Sequence, residues 1–575
     1  MICAPFQTSL VLLASVLMGA APPATPGPAA TPTSALDAAL ALVPKDAIAF
    51  VVLPSPKRAS DDLQQCIDRM DRPEAAVAGR PIDQLKAYLK ISAAFDDKGT
   101  AAVAQLARAE GSVPIAFVPV TDGDAFLTGN FTPAPDSGPD AWKHADGAIV
   151  FARKLEHHVL LSNDADAVRT FKPDEGIAAR VRERLGERGA ALLARGDMIA
   201  WAGPEALRGA ADTAAKQEAL PGGARTEEFR NRATALFREL TDGVIIIDFD
   251  PLGVGIRSFA RASNDSELGK LMKGGTNHAS KFDRVPRNPF YGIARLDIDG
   301  LGGLAAIEDL LKALPGGATL PSWLTASRDH VHALQFAVYP SKLGIATGGI
   351  LNDALLVIES DKPEVVRDGI KRAILATEGE SFGVKRTPTW TTDKELKGGG
   401  VADAFQIEEA LAVGGEQSGN AAIAKLISQV IFGSRGFVGF VRPIPGAIAM
   451  TFSQRVDVLE RAVAASAGGK SLADDGTIKS YRPWLIDGAD IEAYLGVAQL
   501  GKLAQQLATM VPGGEGIPIP QIPATVEPIA FAMEVNQGTA ETATVVPTGV
   551  LTIFYDQFKR QMTERAPAGA AGPKP

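Results

Sequence analysis

The chain has 575 residues, of which 46% are hydrophobic and 22% charged, so it can build a packed core and is not wholly disordered. Its 67 Asp and Glu against 58 Lys and Arg leave a net charge of -9, the wrong sign for gripping a phosphate backbone, and no nucleic-acid partner is expected. The length corresponds to about three to four compact units of ordinary domain size.

The first 21 residues have the features of an export signal. Ser9 to Ala21 reads SLVLLASVLMGAA, an apolar run that ends in small residues suited to cleavage. We expect a signal peptide over 1–21 and a Pro-rich linker over 22–35, hence a periplasmic or extracellular protein. The n-region has no Lys or Arg, and Pro22 follows the expected cut, so an N-terminal membrane anchor is the alternative. No later run of about 18 apolar residues occurs, so no membrane span is expected after signal cleavage.

The two cysteines predict a chain without an intramolecular disulfide. Cys3 would be removed with the signal, which leaves Cys66 alone. Ser60 is expected to cap a helix around this residue. The apolar side chains of that helix share one face: Leu63, Cys66, Ile67 and Met70. A buried structural thiol is favoured over a reactive one, because no His or Lys lies close by in the sequence.

Two kinds of strand-helix unit recur along the chain. In the first, an apolar strand runs into a Ser that is the expected helix N-cap. These serines are Ser162, Ser360 and Ser453. In the second, a helix stops at Pro-Gly-Gly, because Pro cannot continue a helix and Gly accepts the following turn. These stops are at 221–223, 315–317 and 512–514.

A third recurring unit is a β-hairpin with alternating apolar residues. The predicted hairpins are 244–259, 330–347 and 529–545, with turns at 251–253, 340–342 and 536–538. In the last hairpin, Ile529, Phe531 and Met533 point one way, and Ala530 and Ala532 point the other way. Such strands belong to antiparallel sheets more readily than to parallel ones.

The order of these units predicts an α+β protein made of two divergent copies of one module. The modules are expected at 36–285 and 286–565, followed by a disordered tail at 566–575. Each would contain antiparallel sheets with helices packed on one face. A chance recurrence of common strand-helix elements is the alternative, because few residue identities support the repeat.

Short segments of the chain carry a family resemblance. They are LVPKDAIAF at 42–50, SNDADAV at 162–168 and GKSLAD at 469–474, after a helix. With the export signal, this arrangement resembles uncharacterised exported bacterial proteins assigned to a domain-of-unknown-function family. The resemblance covers much of the chain and implies an exported soluble protein. It supplies no functional residues.

Two motifs of catalysis and cofactor binding are approached but not completed. Gly379–Gly383 (GESFG) matches the G-x-S-x-G of α/β-hydrolases, but it follows a helix, and the last histidine, His332, precedes it. Gly468–Ser471 (GGKS) approaches a phosphate-binding loop, but Ala464 takes the place of the first Gly. The second segment is therefore interpreted as a helix C-terminus, and no nucleophile or cofactor site is predicted.

Residue pairs with metal-binding side chains are interpreted as structural. His330 and His332 would face the same side of a strand, as two zinc ligands do, but apolar residues continue that face. This pattern favours a position at the end of a sheet. Two Asp pairs resemble a calcium loop but lack the remaining EF-hand ligands: Asp297 with Asp299, and Asp248 with Asp250. We predict no catalytic, metal-binding or cofactor-binding residues, and no cofactor.

The sequence does not specify an activity, and it leaves two functional classes. The favoured class is a non-enzymatic exported protein that binds a partner protein or an envelope component through its sheet faces or the cleft between modules. It is favoured because no concentrated His, Cys and carboxylate constellation occurs. A carrier of lipid or another hydrophobic ligand falls within this class. The alternative is an exported hydrolase with a dispersed active site, recognisable by a pocket of groups with strongly perturbed pKa values.

Overall fold

The computed structural model describes most of the chain after residue 32. The described ranges are 33–72, 79–109, 111–172, 176–193, 196–216, 224–250, 252–276, 281–313, 319–381, 384–396, 400–411, 427–434, 436–453, 455–510 and 519–565. The predicted signal peptide, the linker up to residue 32, the C-terminal tail and the three Pro-Gly-Gly stops lie outside them. Among the described residues, no helix has the length and apolar character needed to cross a membrane.

The described residues form two compact units. Unit 1 comprises Met1–Gly223, Ala233–Gly269 and Ala543–Pro575, and unit 2 comprises Ala224–Arg232 and Lys270–Thr542. The chain therefore returns to unit 1 near its C-terminus. The modules expected from the sequence divide at 285–286, whereas the chain changes units at 223–224, 232–233, 269–270 and 542–543.

Unit 1 contains one main antiparallel sheet with helices. Its strands are β1 (Ala47–Leu53), β2 (Ala101–Arg108), β3 (Gly111–Pro119), β4 (Phe131–Pro133), β5 (Ala141–His144), β6 (Ile149–Lys154), β7 (His158–Ser162), β8 (Met198–Ala202), β9 (Leu240–Asp250) and β10 (Gly253–Ala262). Its helices are α1 (Thr33–Leu42), α2 (Pro56–Arg69), α3 (Pro81–Leu89), α4 (Gly123–Asn130), α5 (Ala165–Thr170), α6 (Ala178–Leu193) and α7 (Pro204–Lys216). The strand order is β6-β7-β3-β2-β1-β8-β9-β10.

Two helices and one strand contain residues of both units. Helices α8 (Ala224–Phe237) and α9 (Glu267–Leu271) contain residues of both units. In unit 2, a single turn of 3-10 helix at Phe282–Arg284 precedes the first strand. Near the C-terminus, strand β21 (Thr539–Pro547) runs from unit 2 into unit 1, where helix α17 (Thr548–Arg565) follows it.

Unit 2 is also built on an antiparallel sheet. Its strands are β11 (Gly292–Asp297), β12 (Val331–Val338), β13 (Ala354–Ser360), β14 (Gly379–Ser381), β15 (Val384–Glu395), β16 (Val401–Leu411), β17 (Phe437–Ile444), β18 (Ala447–Thr451), β19 (Ile491–Leu495) and β20 (Ile529–Asn536). Its helices are α10 (Leu304–Ala313), α11 (Ser322–Ala326), α12 (Ile345–Gly348), α13 (Pro363–Leu375), α14 (Asp457–Ser466), α15 (Gly476–Tyr481) and α16 (Val497–Met510). The strand order is β14-β15-β16-β17-β18-β13-β12-β11-β19-β20.

The two units share one strand order. In each unit, the first strand of the sheet is central (β1 or β11). The next two strands in the chain lie on one side of it (β2 and β3, or β12 and β13), and two later strands lie on the other side (β8 and β9, or β19 and β20). Thus β1, β2 and β3 take the places of β11, β12 and β13, and β7, β8 and β9 take the places of β18, β19 and β20. Residues at corresponding strand positions of the two units can therefore be compared.

Helices cover both faces of the unit 1 sheet. Ile246 belongs to a core that contains residues of α1, α5 and α6. The next residue, Ile247, points to the opposite face and belongs to a core with residues of α2 and α17. The predicted α+β class with antiparallel sheets is confirmed. The sequence predicted helices on one face, but both of these neighbouring side chains are apolar, and each needs cover from water.

The serines expected to cap helices act at the strand ends instead. Each Oγ accepts a hydrogen bond from the backbone N–H two residues further on: Ser162 from Asp164, Ser360 from Lys362 and Ser453 from Arg455, at 3.1, 3.0 and 3.0 Å. The N-cap of α5 is Asp164, whose carboxylate accepts the N–H groups of Asp166 and Ala167. The N-cap prediction is wrong, because a Ser at the start of a turn satisfies its own local backbone first.

The N-cap of helix α2 lies five residues before the predicted cap. Its N-cap is Ser55, and Pro56 occupies the first turn, where a missing N–H costs nothing. Ser60 lies inside the helix, where its Oγ accepts the N–H of Ile82 at 3.1 Å. The predicted apolar face is confirmed, since Leu63, Cys66, Ile67 and Met70 share one core.

The hairpin predictions have mixed outcomes. Strands β9 and β10 form the first hairpin, with Gly253 opposite Asp250, and β20 and β21 occur where the third was predicted. The second is wrong, because 345–348 is helix α12, and β12 pairs with β13 instead. Gly344 and Gly349, with φ of 72° and 75°, flank this helix in a conformation that an extended strand cannot use.

Candidate functional site

A row of uncharged apolar side chains crosses one face of the unit 2 sheet. The register of five neighbouring strands places these residues side by side: Leu356, Phe336, Ala294, Ala493 and Phe531. Every one of them is partly exposed. We call these five residues the apolar row. Large apolar side chains in a folded protein are usually covered, so a row of this kind indicates a surface that contacts something else.

The rows on either side of the apolar row are also uncharged. The two flanking rows consist of Leu296, Leu334, Ile358, Ile491 and Met533, and of Gly292, Val338, Ala354, Leu495 and Ile529. Leu495 is 45% exposed. The face therefore has three adjacent rows without a charge, although Ala354 and Ile358 of the flanking rows are buried. Its exposed part suits an apolar ligand and offers little to a polar one.

Helices pack over the two ends of this face, and at one end their core also contacts Leu356 of the apolar row. At one end, Leu296 and Leu334 pack against a core that includes residues of α10, α11 and α13. At the other end, Val338 packs with Leu503 of α16. Phe336 and Phe531 belong to neither group. Phe336 and Phe531 therefore lie between two groups of residues that pack against helices.

Unit 1 has a corresponding row. Its register aligns five residues on the matching strands: Ala116, Val103, Val51, Ala200 and Ile245. Ile245 is 50% exposed. The row contains no aromatic residue, whereas the apolar row of unit 2 contains Phe336 and Phe531.

The two histidines singled out by the sequence meet carboxylates at the start of β12. Nδ1 of His332 lies 2.8 Å from Oδ2 of Asp299, and Nδ1 of His330 lies 3.1 Å from Oδ1 of Asp361. Nε2 of His332 is 3.7 Å from the same Asp361 oxygen. These pairs tie β12 to the turn after β11 and to the start of α13. Within the described ranges, no three His, Cys, Asp or Glu side chains are arranged to hold a metal ion.

The other sequence motifs take structural roles. Gly379–Ser381 forms β14 and pairs with β15, so the Ser is not on a turn from a strand to a helix. The N–H groups of Gly468 and Gly469 bond to the carbonyls of Ala465 and Ala464 at 3.0 and 2.9 Å, which is the Schellman ending of α14. Oδ1 of Asp297 accepts the N–H of Gly300 at 2.9 Å and closes the turn after β11.

Unit 1 contains a cluster of carboxyl groups that we call the acidic cluster: Asp62, Asp197, Asp248 and Asp250. Arg58 Nε donates to Asp197 Oδ1 at 2.8 Å, and Asp197 Oδ2 accepts the N–H of Phe249 at 3.0 Å. Burial raises the pKa of Asp62, Asp248 and Asp250 to about 6, and the charge of Asp197 adds to the effect. Groups with such pKa values exchange protons close to neutral pH.

Sequence reasoning missed the acidic cluster and the packing of the apolar row. The cluster joins α2 to β8 and β9, which are far apart in the chain, although Asp248 and Asp250 drew attention as a pair. For the apolar row, the alternation of β20 was visible, but not the side that is buried. Ala530 and Ala532 are 0% exposed, while the larger Phe531 stays partly exposed.

No protein-family model matches the chain, and no curated protein or solved structure matches it either.

Proposed function

We propose that this protein is exported and acts as a non-enzymatic binding protein that holds an apolar group of an envelope component on the apolar row of unit 2. The observation that carries the proposal is the alignment of Phe336 and Phe531 in an uncharged, partly exposed row between two helix layers. Such a site takes its affinity from area removed from water, at about 25 cal/mol per Å².

A hydrocarbon chain suits this face better than a peptide does. The three rows consist of apolar side chains. The backbone N–H and C=O groups of their strands form hydrogen bonds with neighbouring strands. A peptide would bury its own N–H and C=O groups there without partners, which costs free energy. A lipid acyl chain has no such groups. The carrier interpretation of the sequence is therefore the form of binding protein that we favour.

The location and the ancestry belong to the same proposal. The apolar run of Ser9 to Ala21 supports export to the periplasm or beyond, with an N-terminal anchor as the alternative. The common strand order of the units supports divergent copies of one module. The short segments at 42–50, 162–168 and 469–474 support membership of the uncharacterised exported family.

The test is the binding of 11-(dansylamino)undecanoic acid, a fluorescent alkyl probe, to the purified full chain. Phe531→Ser removes an aromatic ring from the apolar row and should weaken probe binding about tenfold, as the loss of roughly 50 to 80 Å² of apolar contact implies. Phe558→Ser is the matched control, because Phe558 is an exposed Phe on α17 in unit 1. Equal affinity of both variants would refute the site.

Native mass spectrometry of the same protein supplies a second readout. We expect the native protein to carry the extra mass of a bound apolar ligand, which organic solvent should release. The Phe531→Ser variant should retain less of this ligand. A denatured mass that begins near Pro22 would establish signal cleavage, and one that includes Met1 would establish an anchored form. A bare native mass together with no probe binding would reject the carrier.

The acidic cluster favours one second candidate, the exported hydrolase with a dispersed active site. Carboxyl groups of pKa about 6 can serve as general acid and general base in one site. An activity of this kind would fall sharply in an Asp248→Asn variant and would survive Phe531→Ser. If the protein is a binding protein, we expect probe binding to survive Asp248→Asn and to weaken in Phe531→Ser.

A further inference from the structure

A row of charged and polar side chains crosses the buried face of the unit 2 sheet. Arg295 of β11 lies opposite Glu492 of β19 on one side and Gln335 of β12 on the other. None of the three is more than 3% exposed. Charged side chains are almost never buried to this degree unless they are paired. We call these three residues the polar row.

The polar row is held by specific partners. Its hydrogen bonds run from Arg295 to Asp297 and the carbonyl of Ala489, from Tyr494 and Arg482 to Glu492, and from Gln335 to Glu359, at 3.0, 2.9, 2.5, 3.1 and 2.6 Å. Each bond needs a group of defined charge at a defined place. The bonds to Ala489 and Glu359 join neighbouring strand segments, whereas Asp297 and Tyr494 lie on the same strands as the residues they contact.

The corresponding rows of unit 1 are apolar. On β1, the two buried residues with partners on both neighbouring strands are Val52, opposite Ala102 and Ile199, and Phe50, opposite Ala104 and Trp201. All six are at most 2% exposed. The shared strand order is therefore built in unit 1 without a charged group at this place. The topology does not require the polar row.

A chain with two units of the same strand order has a folding hazard. β11 can meet β8 of unit 1 in place of β19, and apolar contacts alone would hardly distinguish the two, because the hydrophobic effect is non-directional. In the wrong pair, Arg295 would keep Asp297 of its own strand but would lose the carbonyl of Ala489 and the opposed Glu492, and would lie against Ile199. Breaking up a buried network of charges in this way is strongly destabilising. We propose that the polar row selects strand pairing within unit 2 against pairing with the corresponding strands of unit 1.

Three alanines at corresponding positions provide the reporter. Ala294 of β11 faces Ala493 of β19 in the native register, and Ala200 of β8 occupies the matching place in unit 1. Opposed residues of antiparallel strands have Cα atoms about 4.5 to 5.5 Å apart, which a disulfide can span. The full chain with cysteines at these three positions, and without Cys3 and Cys66, is refolded from urea in oxidising glutathione. Peptide mass spectrometry then measures the disulfides 294–493 and 200–294.

The comparison is with a chain whose polar row carries the residue types of unit 1. It contains Arg295→Val, Gln335→Ala and Glu492→Ile, with Asp297→Asn so that no lone buried carboxylate remains. We expect the 200–294 disulfide to rise at least about tenfold relative to 294–493, since the charge penalty on the wrong pair is gone. An unchanged ratio in a folded variant would overturn the proposal.

A second variant, with larger apolar substitutions in the polar row, controls for a packing defect in the first variant. Arg295→Met, Gln335→Leu and Glu492→Leu, again with Asp297→Asn, keep the side-chain volume close to the original. We expect at least one of the two variants to unfold cooperatively, with a urea midpoint no lower than that of the parent. If neither folds, the row is needed for stability and not for the choice of partner, and the proposal fails.

Discussion

Replacing Asp248 by Asn should stabilise unit 1 at neutral pH and leave its stability unchanged in acid. Burial raises the pKa of this carboxyl from 3.8 to about 6, and the charge of Asp197 adds to the rise. The attraction of Arg257 and Arg58 opposes both effects without cancelling them. The folded protein therefore holds a proton on Asp248 more tightly than the unfolded chain does.

The sign of the pH dependence follows from this shift. Between pH 3.8 and about 6, the folded state binds more protons than the unfolded state, so stability falls as the pH rises through this window. A difference of about two pKa units corresponds to about 3 kcal/mol, lost in full above pH 7. Asn resembles the protonated carboxyl, so Asp248→Asn should regain up to that amount at pH 7.5 and nothing at pH 3.5.

The assay is urea unfolding followed by tryptophan fluorescence, to which the buried Trp201 of unit 1 contributes. The quantity of interest is the variant-minus-parent free energy of unfolding at the two pH values. Asp136→Asn, at an exposed position of the same unit, is the control and should be neutral at both. A gain at pH 7.5 no larger than that of the control, or a loss, would refute the assignment of a raised pKa to the Asp248 carboxyl.

Two further changes test the packing. Gly439→Ala in β17 should cost at least about 2 kcal/mol, because its Cβ would collide with the carbonyl oxygen of Thr451 and the ring of Phe405. Gly476→Ala, where a Cβ meets nothing within 4 Å, should cost little, and equal urea midpoints for the two variants would contradict the reasoning. For Cys66, burial raises the pKa of the thiol well above its usual range, so a thiol reagent should label Cys66 only as the protein unfolds. Rapid labelling in native buffer would show that the thiol is accessible.

The function proposed for the apolar row and the role proposed for the polar row are independent. One concerns the partly exposed face of the unit 2 strands, and the other concerns their buried face. Phe531 belongs to the apolar row. Ala532 lies opposite Glu492 of the polar row. The two residues are adjacent on β20, so substitutions there can separate ligand binding from the fidelity of folding.

Local patterns in the sequence were enough for the class of fold and for many elements. Alternation in β9, β10 and β20 and helical spacing from Leu63 to Met70 arise from neighbours a few residues apart, so one segment contains the signal. The same local reasoning failed where a few hydrogen bonds decide the outcome. Ser162 and its two counterparts were the expected caps, but they close turns two or three residues before the observed caps. Residues 345–348 form a helix between glycines.

Only the tertiary structure decided what those elements build. A period of two tells which side chains share a face, but not which face is covered, because cover comes from helices that lie far away in the chain. The partly exposed Phe336 and Phe531, the buried Arg295 and Glu492, and the carboxyls around Asp197 all depend on such distant neighbours. Burial sets both hydrophobic contact and pKa, and it is a property of the assembled sheet, so the sequence alone determined the elements and the fold determined the surfaces.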